Sequence, residues 1–342
     1  MIFDDKRIIG GFFSLDLPFV KSNRNFLSLW GINEDNSLFF HNARSCLFYL
    51  LQTCNANRLW LPAYICNDIP EAVKDVVETN FYPISSTLTP DIKFLKKHMK
   101  SQDFILAVDY FGKNPDDEFI KFTKESQDIT WIEDRAQAIY PSNGSWGDYI
   151  LYSPRKVIGV PDGGIIVTNN SSLPKTKHSN LSSTKFIEAA LLRYEDIYET
   201  DNINWYGKYC EYEKNMGVSN LPMSNVTRAI LESTDPYATM QKRTENYKFL
   251  KEKLSGIALF SEENDFVPMG FPIRVQNREN ILEYLHKNKI FAPVHWKELP
   301  VDGGEFLFEK ELSKEIITLP CDHRYEQADL ERIVEHFVEE MV

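Results

Sequence analysis

Between residues 37 and 170 the chain alternates short apolar runs with stretches of helical period. Ser37 to His41 reads as a strand, Arg44 to Thr53 as a helix, and Leu59 to Pro62 as a second strand. Asn67 to Glu78 has a helical pattern, with Asn67 or Asp68 placed to cap it. Phe104 to Tyr110 is almost continuously apolar, the mark of a strand covered on both faces. Ile129–Asp134, Tyr149–Tyr152 and Gly164–Thr168 follow as further strands. Strands that alternate with helices predict an α/β fold with a mostly parallel sheet and helices on both faces.

From about Ser183 the pattern changes to long polar helices rich in Glu, Lys and Tyr. Arg228 to Leu254 is expected to link two units. A smaller α+β unit follows, with strands at Phe271–Val275 and Ile316–Pro320 and helices at Glu279–Lys287 and Glu326–Val338. The division is a large domain over 1–240 and a small C-terminal domain over 241–342. Two domains suit a chain of 342 residues.

Charge narrows the partners. With 38 Lys and Arg against 50 Asp and Glu, the net charge is −12. Nucleic-acid binding relies on cations that neutralise phosphates, so this surface argues against it. No run approaches the roughly 18 apolar residues of a membrane helix. Met1 to Arg7 lacks a basic stretch leading into an apolar one. The five cysteines (Cys46, Cys54, Cys66, Cys210, Cys321) are scattered with no Cys-x-x-Cys pair. They read as free thiols in a reducing compartment, not as a disulfide framework or a metal site. The expected location is the cytoplasm.

In open α/β sheets ligands bind at the carboxyl ends of the strands. Neither Gly-x-Gly-x-x-Gly nor a Walker A loop is present, which disfavours a nucleotide-dependent oxidoreductase. His41-Asn-Ala-Arg-Ser45 opens a helix after the first strand, where free N–H groups suit a phosphate. The most informative stretch begins with Trp131-Ile-Glu-Asp134-Arg-Ala-Gln137. It continues with Gly144-Ser-Trp-Gly-Asp148, then Ser153-Pro-Arg-Lys156, and closes on Asp162-Gly163-Gly164. An acid at one strand end is followed, one strand later, by a lysine in a loop. Taken singly, Asp134 fits a helix cap and Lys156 a solvated lysine; the ordered set gives them weight.

That set resembles the DegT/DnrJ/EryC1/StrS family of sugar aminotransferases, pyridoxal-phosphate enzymes of fold type I. The family pattern has a Glu-Asp-x-Ala-Gln/His block, a Gly-Ser-x-Gly-Asp block, and a lysine followed six residues later by Glu/Asp-Gly-Gly. Asn42 to Leu47, Leu61 to Tyr64, Asp109 to Gly112 and Leu319 to Tyr325 resemble its remaining motifs, with Asp109 where the family has histidine. The resemblance implies a seven-stranded, mostly parallel sheet in the large domain and pyridoxal 5'-phosphate as the cofactor. Lys156 would attach to the cofactor and shuttle a proton, and Asp134 would hold the ring nitrogen protonated. Gln137 would bond the ring's phenolic oxygen, and Tyr64 would stack on the ring. Backbone at Ala43 and Arg44, together with Ser153, would hold the phosphate. The family's Gly-Thr is Ala43-Arg44 here, and the serine it carries five residues before the lysine is Leu151. Ser153 is the hydroxyl available instead.

Members of the family that act as sugar dehydratases carry histidine in place of the lysine, so Lys156 favours transamination. The implied partners are a nucleotide-linked keto sugar and an amino-acid donor, glutamate by family expectation. Arg44, Arg155 and Lys113 are candidates for the cationic contacts of a nucleotide diphosphate. Gly217 to Asn220 loosely echoes a loop that reaches the partner's site in a homodimer with composite active sites. His295 reads as structural, and His323 with Arg324 as a domain-packing pair. The alternatives are a non-catalytic homologue of the same fold, or a pyridoxal-phosphate enzyme acting on a non-sugar carbonyl.

Overall fold

The computed structural model describes residues 9–10, 23–33, 35–140, 144–168, 173, 178–179, 181, 183–196, 204–261, 266–302 and 304–341. Residues 1–8, which carried the argument about a leader, lie outside them. The strands, in chain order, are β1 (Ile9–Gly10), β2 (Ser37–Phe40), β3 (Arg58–Pro62), β4 (Glu78–Tyr82), β5 (Phe104–Val108) and β6 (Thr130–Asp134). They continue with β7 (Tyr149–Tyr152), β8 (Gly164–Thr168), β9 (Phe271–Arg274), β10 (Ile290–Phe291) and β11 (Ile316–Leu319).

Seven of them form one sheet in the order β2-β8-β7-β6-β5-β3-β4. β3 to β7 are mutually parallel, and β8 is antiparallel to both of its neighbours, β7 and β2. Six strands therefore point one way, and their carboxyl ends share an edge with the start of β8. The central strands are apolar because helices cover both faces: every residue of β5, β7 and β8 is buried. The sheet is the mostly parallel, helix-covered one that the alternating pattern predicts, with the seven strands that the resemblance implies.

Three strands escape the sequence pattern, β4 and the two-residue pair β1 and β10. β4 takes up the end of the segment read as a helix over 67–78, where the helix covers only Asp68–Val73. Asn67 makes no side-chain cap there. β4 is an edge strand, so its side chains are only partly buried and its apolar alternation is weak. β1 is two residues long and pairs in parallel with β10, which places Ile9 and Gly10 against the C-terminal unit.

The 228–254 segment is two helices, Asn225–Ser233 and Pro236–Leu254. Asp235 caps the second, with Pro236 at its first position, where a missing N–H costs nothing. Beyond it β9 and β11 pair antiparallel, flanked by the helices Arg278–Lys287, Leu307–Glu315 and Gln327–Met341. A single apolar cluster runs from Leu47, Leu61 and Leu106 on the sheet side to Phe271, Leu285 and Ile317 in this unit. Among the described residues no helix is long and apolar enough to cross a membrane, no group of residues could hold a metal ion, and all five cysteines are free.

Candidate active site

The carboxyl edge of the sheet opens into a cavity of about 1150 Å³. Five strand ends feed it. Asn42, Ala43 and Arg44 follow β2, and Ile65 and Cys66 follow β3. Val108 ends β5, Asp134 ends β6 with Ala136 and Gln137 beyond it, and Ser153, Arg155 and Lys156 follow β7. The C-terminal unit closes the far side with Met269, Gly270, His295, Asp322 and Arg324.

The helix Ala43–Thr53 begins at the cavity wall. Asn42 caps it, its side-chain oxygen accepting from the N–H of Ser45 at 2.8 Å. That leaves the first-turn N–H groups of Ala43 and Arg44 for an anion. The Asp162-Gly163-Gly164 motif holds this helix start in place. Gly163 has φ +124°, and a Cβ on Gly164 would lie 2.1 Å from the Asn42 carbonyl carbon. Only glycine lets β8 pass so close to the helix start. Asp162 is fully buried and accepts from the N–H of Ser224 at 2.8 Å and its hydroxyl at 2.7 Å, so its role is to anchor the next helix.

Asp134 is 5% exposed, and one of its oxygens accepts from the Ala136 N–H at 2.8 Å. Burial pushes its carboxyl above the ordinary range, while the Lys156 ammonium pulls the other way. Gln137 is 1% exposed. Its oxygen accepts from the Phe111 N–H at 2.8 Å, and its Nε2 has no partner among the described residues. Ser153, also buried, lines the cavity, and its carbonyl accepts from the Lys156 N–H at 3.0 Å. Lys156 makes no side-chain hydrogen bond or ion pair with a described residue.

The neighbouring blocks are structural. Glu133 is fully buried and accepts from the N–H groups of Trp146 at 2.9 Å and Gly147 at 3.1 Å and from Arg135 Nε at 2.5 Å. Asp109, fully buried beside Glu133, is pushed well above the carboxylate range by burial and by that second acid. Asp148 accepts from the Trp131 N–H at 2.9 Å. The Gly-Ser-x-Gly-Asp block thus braces the strand that carries Asp134.

Several sequence expectations need correction. Tyr64 does not line the cavity; it is fully buried, its hydroxyl donates to the His295 carbonyl, and its ring packs on Tyr110 and Trp296. Ile65 and Cys66 form the wall there instead. The cationic patch is not free. Arg44 pairs with Asp68 at 2.7 Å and donates to the Met216 carbonyl, and Arg155 pairs with Glu213. Burial opposes it, but Arg155 holds Glu213 below its ordinary range. Lys113 stands over the Phe260 ring at 5.1 Å and is not a lining residue. The Gly217–Asn220 loop is tied to its own chain: the Gly217 carbonyl accepts from Asn42 Nδ2 at 3.1 Å, and the Ser219 N–H donates to the Ser45 hydroxyl at 3.1 Å.

The cavity also contains residues the sequence left aside. His295 faces it, bonded to the Thr318 hydroxyl at 2.9 Å through Nδ1. Burial, then the Lys156 ammonium, pushes this imidazole down to about 3, so it is neutral at physiological pH. Arg324 lines the wall while gripping Asp322 at 2.7 and 2.8 Å. The helix Trp205–Asn215 adds Trp205, Tyr206, Tyr209 and Glu213. Its alternation of aromatic and charged residues carried no signal that it would face a site.

The protein is a pyridoxal-phosphate-dependent aminotransferase, which its family shows. A sequence model of the DegT/DnrJ/EryC1/StrS aminotransferase family matches residues 85–338, and the chain belongs to that family. No curated protein sequence matches the chain. Among solved structures it is similar to Helicobacter pylori PseC, an aminotransferase involved in the biosynthesis of pseudoaminic acid. There the identity is 15%, the alignment covers 98% of this chain and 99% of that one, and the TM-score is 0.69. NtdA from Bacillus subtilis, solved with bound PMP, is 16% identical over 96% of this chain and 78% of that one, with a TM-score of 0.67. DesI, solved in the presence of its TDP-sugar product, is 13% identical over 91% and 81%, with a TM-score of 0.64.

Proposed function

We propose that the protein moves an amino group from glutamate to a nucleotide-linked keto sugar, in surface-polysaccharide or related sugar biosynthesis. The observation that carries this is the convergence of Lys156, Asp134 and Gln137 on one cavity. Gln137 Nε2 is a buried donor with no partner among the described residues, which suits the phenolic oxygen of pyridoxal phosphate. The first-turn amides of Ala43 and Arg44, with the Ser153 hydroxyl on the same cavity, suit its phosphate. The residues present fit the group.

When bound, the cofactor supplies the electron sink for carbanion chemistry. The chain does the rest. The Asp134 carboxylate, desolvated at the end of β6, holds a proton on the ring nitrogen. The Lys156 amine, on the cavity wall, would hold the cofactor and would move the proton at the substrate carbon. Gln137 would hydrogen-bond the ring, and His295, kept neutral by burial and by the Lys156 charge, lies on the same cavity.

The sugar reading draws on the family and on neighbours named for pseudoaminic acid and a TDP-sugar. The cavity volume supports a large substrate, since small-ligand pockets run to about 1,000 Å³. We further propose a homodimer, the commonest symmetric assembly, located in the cytoplasm, with no nucleic-acid or membrane partner. The division at residues 240 and 241 is part of this proposal.

The test is a spectrum followed by a substrate panel. Purified protein should be yellow, bleach with borohydride, and yield a labelled peptide containing Lys156. The aminated enzyme should then react with a nucleotide-linked keto sugar and with 2-oxoglutarate faster than with other keto acids. Colourless protein that takes up no cofactor would leave a non-catalytic homologue. Fast reaction with several keto acids and none with sugar nucleotides would replace the sugar by another carbonyl.

A further inference from the structure

The helix Pro236–Leu254 carries two buried polar side chains one turn apart, Arg243 at 0% and Asn246 at 4% exposure. Their spacing puts both on one face. Arg243 has no carboxylate within ion-pair distance among the described residues. Its Nη2 donates to the Val157 carbonyl at 2.7 Å, and its Nη1 to the carbonyls of Met269 at 2.9 Å and Pro268 at 3.2 Å. Asn246 Nδ2 donates to the carbonyls of Asp322 at 2.9 Å and Tyr325 at 3.0 Å.

These five carbonyls belong to three backbone segments, and each segment borders the cavity. Val157 follows Lys156 directly. Met269 lines the wall beside Gly270. Asp322 and Tyr325 flank Arg324, and Asp322 is itself a lining residue. None of the three is regular secondary structure at the point gripped. Val157 closes the short 3₁₀ turn Pro154–Lys156 through its N–H, which leaves its carbonyl to Arg243, and the other four lie in loops outside β9 and β11. Asp322 lies beyond ion-pair distance and offsets only part of the burial that pulls this guanidinium down; burying the charge is costly, and an apolar side chain would fill the space without that cost. What the guanidinium adds is donors in a fixed fork, able to hold carbonyls from two directions.

We propose that Arg243 and Asn246 are positioning residues: as one staple they set the Lys156 loop against the two C-terminal segments that face it. Through Val157, Arg243 determines where the Lys156 stem leaves the backbone, and through Asn246 the same helix determines where Arg324 stands. A displacement of about 1 Å at a reacting group can cost roughly 10²-fold in rate, so the staple acts on chemistry without touching substrate. The consequence for turnover rests on Lys156 being the cofactor lysine; the staple itself does not.

The experiment uses Arg243→Lys, which keeps the charge and loses the fork, and Asn246→Ser, which removes the amide donor. Hydrogen exchange on cofactor-free protein needs no catalysis. Arg243→Lys should raise exchange in residues 154–160 and 266–270, and Asn246→Ser in 321–325, with the helix Ala43–Thr53 and β5 unchanged. On holoenzyme, the visible circular dichroism per bound cofactor reports how firmly the chromophore is oriented. It should fall by at least half in Arg243→Lys at unchanged stoichiometry, and the single-turnover rate with glutamate should fall about 10- to 100-fold. A lowered thermal midpoint with exchange raised evenly through the chain, or with dichroism and turnover unchanged, would make the pair mere packing and overturn the proposal. If Arg243→Lys fails to fold, Asn246→Ser decides by the same exchange pattern at 321–325. If wild type binds no cofactor, the functional reading fails, and the exchange pattern alone decides the staple.

Discussion

Replacing Asp134 by Asn tests the electrostatic core of the mechanism while changing almost no volume. The amide oxygen can still accept from the Ala136 N–H, now at 2.8 Å, so the turn after β6 should survive. What disappears is the negative charge opposite the ring nitrogen. Unit charges about 3 Å apart interact by roughly 5 kcal/mol at an effective dielectric constant near 20. An amide dipole recovers a minor part, leaving a loss of about 4 kcal/mol in the stabilisation of a protonated ring. At 1.36 kcal/mol per tenfold this predicts roughly a 10³-fold fall in the proton-transfer rate. The 5% exposure of Asp134 matters here, because water would otherwise screen the pair. The assay is stopped-flow single turnover of cofactor-loaded enzyme with glutamate, beside a count of bound cofactor per chain. Cofactor should remain bound, since the anion site at Ala43 and Arg44 and the Gln137 donor are untouched. A variant that turns over within about threefold of wild type would refute the assignment of Asp134.

Gly164→Ala should destabilise by about 1–3 kcal/mol in urea unfolding and weaken cofactor retention, because its Cβ meets the Asn42 carbonyl and the Ala43 nitrogen at 2.1–2.3 Å; unchanged stability would show that the helix start yields freely. His295 is held down to about 3, so the unfolded chain takes up its proton near pH 6.5 while the folded chain does not, and stability is lost as pH falls from 6.5 toward 3. His295→Gln should therefore lose less of its thermal midpoint than wild type between pH 7 and pH 4. Iodoacetamide at neutral pH should label exposed Cys210 first and fully buried Cys46 and Cys321 last, with Cys66 slow because burial pushes its thiol up. Added pyridoxal phosphate should slow Cys66 further, read by peptide mass mapping. Sedimentation of active protein should give a dimer; an active monomer would remove the homodimer.

The large sheet was legible because burial on both faces leaves uninterrupted apolar runs, as in β5 and β8. β4 was not, since an edge strand with half-covered side chains has no such run, and β1 is too short for any period. At the site, Asp134, Gln137, Ser153 and Lys156 were legible through the ordered motifs that resemble the family, and the structure brings them to one cavity because they sit at a strand end or one to four residues beyond it. Tyr64 also follows a strand, but the chain turns there and buries the ring under Trp296, a contact from 232 residues further along that no local pattern announces. Arg44 and Arg155 were visible as cations; their carboxylate partners, Asp68 and Glu213, lie on other elements. Arg243 looked like one more charged residue on a polar helix, since only the assembled structure shows it fully enclosed.

The reversal of β8 also has a meaning for how the molecule is put together. Because β7 and β8 are antiparallel neighbours, the segment that bears Lys156 is the loop of a hairpin, and its ends meet through contacts close in sequence. Such a loop closes quickly and at little entropic cost. The opposite wall of the cavity depends on β2, which arrives from far up the chain to pair Ser37 with Val167 and Phe40 with Gly164. The lysine is thus presented by a locally formed unit, whereas the helix start proposed to hold the cofactor's phosphate reaches it only when the most distant pairing in the sheet is made. Cofactor capture during refolding would therefore register the completion of that long-range step, later than the appearance of secondary structure.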